Sequence, residues 1–241
     1  MRARVARHYR DVYRVEVDAA RVVVTAGASG AFLLAFLAAF DAGDRVALAD
    51  PGYPAYRNIL KALGIEVVAL AAGPEHRFQP TPALLEEAGE LDGLIVASPS
   101  NPTGTMLGAG ELTALASWCD ARGVRLISDE IYHGITYGAP ATTALESNPD
   151  CVVINSFSKY FAMTGWRIGW MVLPEDLLAP VERLAQNLFV SPAALAQRAA
   201  LVALECRAEP DAYGEDYARN RALVLERLAG GSSEGHPSEL Q

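Results

Sequence analysis

The chain has 241 residues, 51% hydrophobic and 20% charged, and 20 Lys+Arg against 29 Asp+Glu give a formal charge of -9. That much apolar side chain excludes intrinsic disorder, because burying it offsets the entropy of ordering. The acidic balance excludes nucleic acid as the main partner, since phosphate binding needs a clustered positive field.

Residues 1–14 carry Arg2, Arg4, Arg7, Arg10 and Arg14, with Val5, Tyr9 and Val12 on one helical face. Asp11 interrupts the basic run and no Ser occurs before Ser29, so a surface helix is expected rather than a transit peptide. Short β-branched runs then alternate with helical stretches. Strands are expected at 22–25, 45–49, 65–70, 94–97, 124–127, 152–154 and 168–173, the last antiparallel if it breaks the pattern. Helices are expected at 31–40, at 56–63 before Gly64, and around Leu112, Leu115 and Cys119 before Gly123. The apolar run at 31–40 falls well short of the roughly 20 residues of a membrane helix. From Pro174 onward three helical stripes follow: Leu177, Val181, Leu184, Leu188; then Leu195, Ala199, Val202, Cys206; then Tyr213, Tyr217, Val224, Leu228. A Gly- and Ser-rich tail begins at Gly230. Cys119, Cys151 and Cys206 form no metal or CxxC spacing and read as thiols of a reducing compartment.

The expected fold is therefore α/β, a mostly parallel seven-stranded sheet sandwiched by helices. Ligands in such sheets bind beyond the carboxyl ends of the strands. Five loops lie there. Ser156-Phe157-Ser158-Lys159, with Arg167 eight residues on, combines a possible Schiff-base lysine with hydroxyls and a guanidinium suited to phosphate. A solvated lysine at a strand end reads equally well. Asp129-Glu130-Ile131-Tyr132 places an acid directly after a strand, either against a ring nitrogen or as a helix cap. Pro99 and Pro102 flank Asn101, which either aims its amide at a ligand or sits in a plain turn. The small-residue loop 25–31 enters a helix N-terminus, a phosphate cradle in form. Tyr53 either stacks on a flat ring or packs the turn. Glu130 and His133 read as packing residues.

Together these loops resemble the aminotransferase class I/II family of fold-type-I pyridoxal 5'-phosphate (PLP) enzymes. Ser156-Phe157-Ser158-Lys159 with Gly165, Arg167 and Gly169 is similar to the family's lysine signature, and Ser-Asn-Pro-Thr-Gly and Asp-Glu-Ile-Tyr follow its order. The likeness runs from about Arg7 to about Gly230. It implies PLP as cofactor and Lys159 as the Schiff-base lysine that moves protons at Cα. It implies Asp129 on the pyridine nitrogen, Asn101 and Tyr132 on the phenolic oxygen, and Tyr53 stacked on the ring. It implies a phosphate held by Ser156, Ser158 and Arg167, with Ala28 and Ser29 at the helix N-terminus.

The implied activity is transfer of an amino group between an amino acid and a 2-oxo acid, in the cytoplasm and without nucleic-acid or membrane partners, with a homodimer implied where the family's further segments are present. Family members also carry a longer N-terminal arm and a second small domain whose arginine grips the substrate carboxylate. Both segments are expected to be missing here. The division implied is 1–20 as a remnant N-terminal helix, 21–190 as the PLP-binding domain, 191–229 as the start of the small domain, and 230–241 as tail. Arg219, Arg221 and Arg227 lie on the third stripe and do not inherit the carboxylate role. The alternatives are a PLP-binding remnant without activity and a PLP lyase acting on amino acids. A regulator's effector domain fits less well, because no DNA-binding segment precedes residue 21.

Overall fold

The computed structural model describes residues 1–231. Seven strands form one sheet: β1 Val22–Thr25, β2 Arg45–Asp50, β3 Glu66–Ala71, β4 Gly93–Ala97, β5 Arg125–Asp129, β6 Val152–Ser156 and β7 Gly169–Val172. Their order is β1-β7-β6-β5-β4-β2-β3. The pairs among β2, β3, β4, β5 and β6 are parallel. β7 runs antiparallel to both β1 and β6, so it alone is reversed and the mostly parallel expectation holds. Reversal has a consequence for the site. β7 starts where its neighbours end, with Gly169 paired to both Thr25 and Ser156. Arg167, two residues before Gly169, therefore reaches the carboxyl edge.

Eight α-helices pack on the sheet or extend from it: α1 Arg2–Tyr13, α2 Gly27–Ala39, α3 Pro54–Ala62, α4 Pro82–Ala88, α5 Ala109–Arg122, α6 Glu175–Leu188, α7 Ala194–Ala203 and α8 Ala208–Gly231. Strand residues alternate between two cores, as a two-faced sheet requires. Ala47, Leu94, Val96, Leu126, Val153 and Trp170 join one core with α1, α4, α5 and α7. Val46, Leu48, Ile95, Ile127, Ile154 and Met171 join the other with α2, α3 and α6. α2 is apolar nearly all round and is buried accordingly. Trp170, fully buried, donates its indole N–H to Tyr9 Oη at 3.1 Å, fixing α1 to the sheet.

Several boundaries differ from the sequence expectation. α2 begins at Gly27 rather than residue 31, because Ala28 and Ala31 already face the core. α4 was not anticipated. Thr81 caps it by accepting from the Leu84 N–H at 3.3 Å, and Pro82 starts it. The α7 stripe is rotated. Ala196 and Ala200, with Leu204 just beyond the helix, are buried, while Leu195 and Val202 are 73% and 62% exposed. Tyr213, Tyr217, Val224 and Leu228 of α8 also face outward. α8 runs to Gly231, and the rest of the expected tail lies outside the described residues. Among the described residues no helix is long and apolar enough to cross a membrane. All three cysteines are free.

Candidate active site

A cavity of about 170 Å³ opens at the carboxyl edge of the sheet. Its walls include Ala28 and Ser29 from the start of α2, Tyr53 after β2, and Asn101 after β4. Asp129 and Tyr132 enter after β5, Ser158 and Lys159 after β6, and Arg167 before β7. Nine of the ten residues singled out from sequence thus line one cavity. Ser156 is the exception. It is buried beneath the wall, its hydroxyl 2.7 Å from Ser158 Oγ and 3.1 Å from the Ile168 carbonyl, and it accepts the Ser158 N–H at 3.2 Å. Ser156 thus supports Ser158 from behind rather than forming part of the cavity lining.

One end of the cavity is built for an anion. The α2 N-terminus has no side-chain cap, so its first N–H groups are available. Arg167 crosses over it, donating from Nη1 to the Thr164 carbonyl at 3.0 Å. Arg167 adopts a left-handed conformation, φ 50 and ψ 53, a strained choice for a residue with a side chain. A Cβ on Gly169 would lie 2.8 Å from the Asn155 carbonyl and 3.0 Å from the Gly27 carbonyl carbon. Only glycine there lets β7 meet the start of α2.

The other end is acidic. Asp129 is buried; its Oδ1 accepts the Ile131 N–H at 3.0 Å and its Oδ2 accepts the Tyr56 hydroxyl. Burial raises its pKa to about 6, against the opposing pull of Tyr56, the Ile131 amide and the Lys159 charge. Burial, with the Asp129 charge, also holds Tyr56 well above the ordinary tyrosine range. The sequence sets Tyr56 beyond the same strand end as Tyr53 but gives it no role. Asp129 lies 73 residues away from it, and its only local signal is its place three residues after Tyr53.

In the order of the sheet Lys159, after β6, falls between Arg167 before β7 and Asp129 at the end of β5, with Tyr132 on the Asp129 loop and Asn101 on the next loop, after β4. Lys159 Nζ stands 5.4 Å from the centroid of the Tyr132 ring. Asn101 Nδ2 donates to the Tyr132 hydroxyl at 3.4 Å. Tyr53, 39% exposed, meets Tyr56 edge to face at 5.4 Å. Lys61 and Lys159 are the only two lysines of the chain, and Lys61 sits in the last turn of α3, outside the cavity wall. The arrangement suits a flat ligand with an anionic group at one end, a basic ring nitrogen at the other, and an electrophilic carbon in reach of an amine.

The sequence profile of aminotransferase class I and II matches residues 1–231. The chain belongs to that family. It is 53% identical over 233 residues to the valine–pyruvate aminotransferase of Mycobacterium tuberculosis, covering 95% of this chain and 60% of that protein. It is 36% identical over 203 residues to the aspartate aminotransferase of Geobacillus stearothermophilus, covering 81% and 52%. The crystal structure of an aminotransferase from Mycobacterium tuberculosis superposes with a TM-score of 0.92 at 52% identity, over 95% of this chain and 64% of that one. An aspartate aminotransferase variant of Thermus thermophilus gives 0.91 at 32% identity, over 96% and 66%. The chain thus spans about 60% or less of the length of these two curated relatives. Class I and II aminotransferases generally depend on PLP, and the seven-stranded α/β fold described above matches part of their structures.

Proposed function

We propose that this chain is the cofactor-binding part of a PLP-dependent transaminase that moves an amino group between an amino acid and a 2-oxo acid. The observation that carries the reading is one cavity in which Lys159, after β6, falls between Arg167 before β7 and the buried Asp129 at the end of β5. The residues present fit PLP. Arg167, Ser29, Ser158 and the uncapped start of α2 would hold its phosphate. Asp129 would pair with the ring nitrogen, Asn101 and Tyr132 would bond the phenolic oxygen, and Tyr53 would cover the ring. When bound, PLP supplies an aldehyde and an electron-withdrawing ring.

Each residue then has a defined task. Lys159 would supply the amine that holds the aldehyde and would serve as the base for the proton on the substrate Cα. Asp129 would keep the ring nitrogen protonated, and Tyr56, which donates to Asp129 Oδ2, would hold that carboxylate in place. Tyr53 and Phe32 close the cavity on its apolar side, with Phe32 stacked edge-on against Tyr56 at 4.9 Å. All of these residues fall within 21–190, which supports treating that span as the cofactor-binding domain.

The likeness to a valine–pyruvate aminotransferase favours transamination over elimination and makes valine and pyruvate the first pair to try. Three free thiols suit a reducing compartment and support a cytoplasmic location. A homodimer is the family's usual assembly and is proposed here on that ground.

The test is a half-reaction. PLP-loaded protein mixed with L-valine is expected to lose its visible band as the pyridoxamine form appears, and pyruvate is expected to restore it. A visible band that neither valine nor any other amino acid shifts would overturn the transaminase reading and leave a PLP-binding protein.

A further inference from the structure

A buried polar cluster flanks the Ile131–Tyr132 segment and has no part in the cofactor site. His133 is 5% exposed and Glu130 1%. His133 Nε2 lies 2.9 Å from the Ser98 carbonyl, and its Nδ1 lies 2.8 Å from the Tyr13 hydroxyl of α1. A carbonyl can only accept, so Nε2 carries the proton, Nδ1 is bare, and Tyr13 donates to it. Burial, opposed by the Ser98 bond and assisted by His8, lowers the His133 pKa to about 4. Burial raises that of Glu130 to about 8, against its bonds from Ala144, Thr143 and Ser128. Burial thus favours the neutral form of both groups. Glu130 Oε2 comes within 3.6 Å of Nδ1 but has no hydrogen-bond partner.

Position gives the cluster its meaning. Ser98 opens the loop that carries Asn101, and His133 follows Tyr132 directly. The Ser98 N–H donates to the Asp129 carbonyl at 3.3 Å, and Asn101 meets Tyr132 at 3.4 Å. The two loops are thus tied at their bases by His133 and joined at their tips across the cavity. We propose that His133 is a positioning residue: it clamps the Asn101 loop to the Asp129–Tyr132 loop, and α1 fixes its tautomer through Tyr13. The effect on the loops stands on geometry alone. Any effect on a bound cofactor rests on the reading under Proposed function.

The test has a cofactor-free arm and a loaded arm. Amide hydrogen exchange of the cofactor-free protein is compared for the wild type, His133→Asn, His133→Gln and Tyr13→Phe. His133→Asn is too short to reach Ser98, and it is expected to speed exchange at Ser98, Ser100 and Gly104 at least tenfold while β4 and β5 keep their protection. The longer His133→Gln keeps a donor for Ser98 and is expected to restore slow exchange. Tyr13→Phe is expected to give a smaller change at the same amides. Unchanged local exchange in His133→Asn overturns the proposal, and so does uniform acceleration in both His133 variants, which marks a general packing role.

In the loaded arm, His133→Asn is expected to move the pH midpoint of the visible band in the same direction as Tyr132→Phe, by about half a pH unit, or threefold in the equilibrium constant. No band in the wild type would overturn PLP binding and leave the exchange result to decide the clamp. A wild-type band whose midpoint His133→Asn leaves in place overturns the clamp's effect on the cofactor.

Discussion

Gly27 lies directly beneath the Arg167 guanidinium: a Cβ on Gly27 would fall 2.6 Å from Arg167 Nη2. Gly27 also holds φ at +73, a conformation that costs an ordinary residue about 1–2 kcal/mol. One glycine therefore serves both the turn out of β1 and the seat of the anion-binding arginine.

Gly27→Ala is expected to act on both. It should lower stability by about 1–2 kcal/mol through φ alone. It should also displace Arg167 and weaken PLP binding at least tenfold, in line with loss of a charge-assisted bond. Thermal unfolding reads the first effect and a PLP titration the second. PLP affinity equal to wild type would remove Arg167 from the phosphate site.

Tyr56 donates to a buried carboxylate, so Tyr56→Phe leaves Asp129 short of a partner. A hydrogen bond to a charged group contributes about 1.5–3 kcal/mol. Denaturant unfolding near pH 8, where Asp129 is ionised, is expected to register a loss of that size. The loss should shrink near pH 5, where Asp129 carries its proton.

The cavity lining was legible from sequence where a residue sits at or just past a strand end, as Ala28, Tyr53, Asn101 and Asp129 do. Lys159, Ser158 and Arg167 share one short segment, and the reversal of β7 folds Arg167 back onto the β6 edge. The role of Tyr56 was not legible, because its partner is 73 residues away and nothing local announces the contact. His133 and Glu130 were read as packing residues because an isolated buried His or Glu carries no pattern. Their meaning comes from Ser98, Thr143 and Tyr13, which only the fold brings near. The α7 stripe was misread because Leu195 and Val202 outweigh alanine in a hydrophobicity pattern. Ala196 and Ala200 are the residues that pack, being small enough for the helix to lie close against the core.

Burial of Glu130 makes a pH prediction with a definite sign. Its folded pKa near 8 stands above the ordinary 4.5. Between those values the folded state holds a proton that the unfolded state has lost, so stability falls as pH rises. Asp129, raised to about 6, adds the same sign at lower pH. His8 and His133, both lowered to about 4, act oppositely, their stabilisation being lost as pH falls from 6.5 toward 4. The histidines oppose Glu130 most strongly near their unfolded value of 6.5 and fade above it, so Glu130 dominates the balance of these four groups toward pH 8. Melting temperature is expected to drop toward that pH, with a slope of at most about 1.4 kcal/mol per pH unit. Glu130→Gln should flatten the slope.

Val190 follows α6 with φ +60 and is 81% exposed. A β-branched residue gains nothing from such a position, which helices usually give to glycine. Val190→Gly is expected to stabilise the chain by about 1 kcal/mol, read by denaturant unfolding. A loss of stability would mean that the Val190 side chain makes a contact outweighing its strain.

The most direct test of the account is where PLP attaches. Only Lys61 and Lys159 can form a side-chain imine. After PLP addition and borohydride reduction, peptide mass spectrometry is expected to find the pyridoxyl group on the peptide containing Lys159, with Lys159→Ala losing both the label and the visible band. Label confined to Lys61, or no label on either lysine at saturating PLP, would contradict the assignment of this cavity as a PLP site.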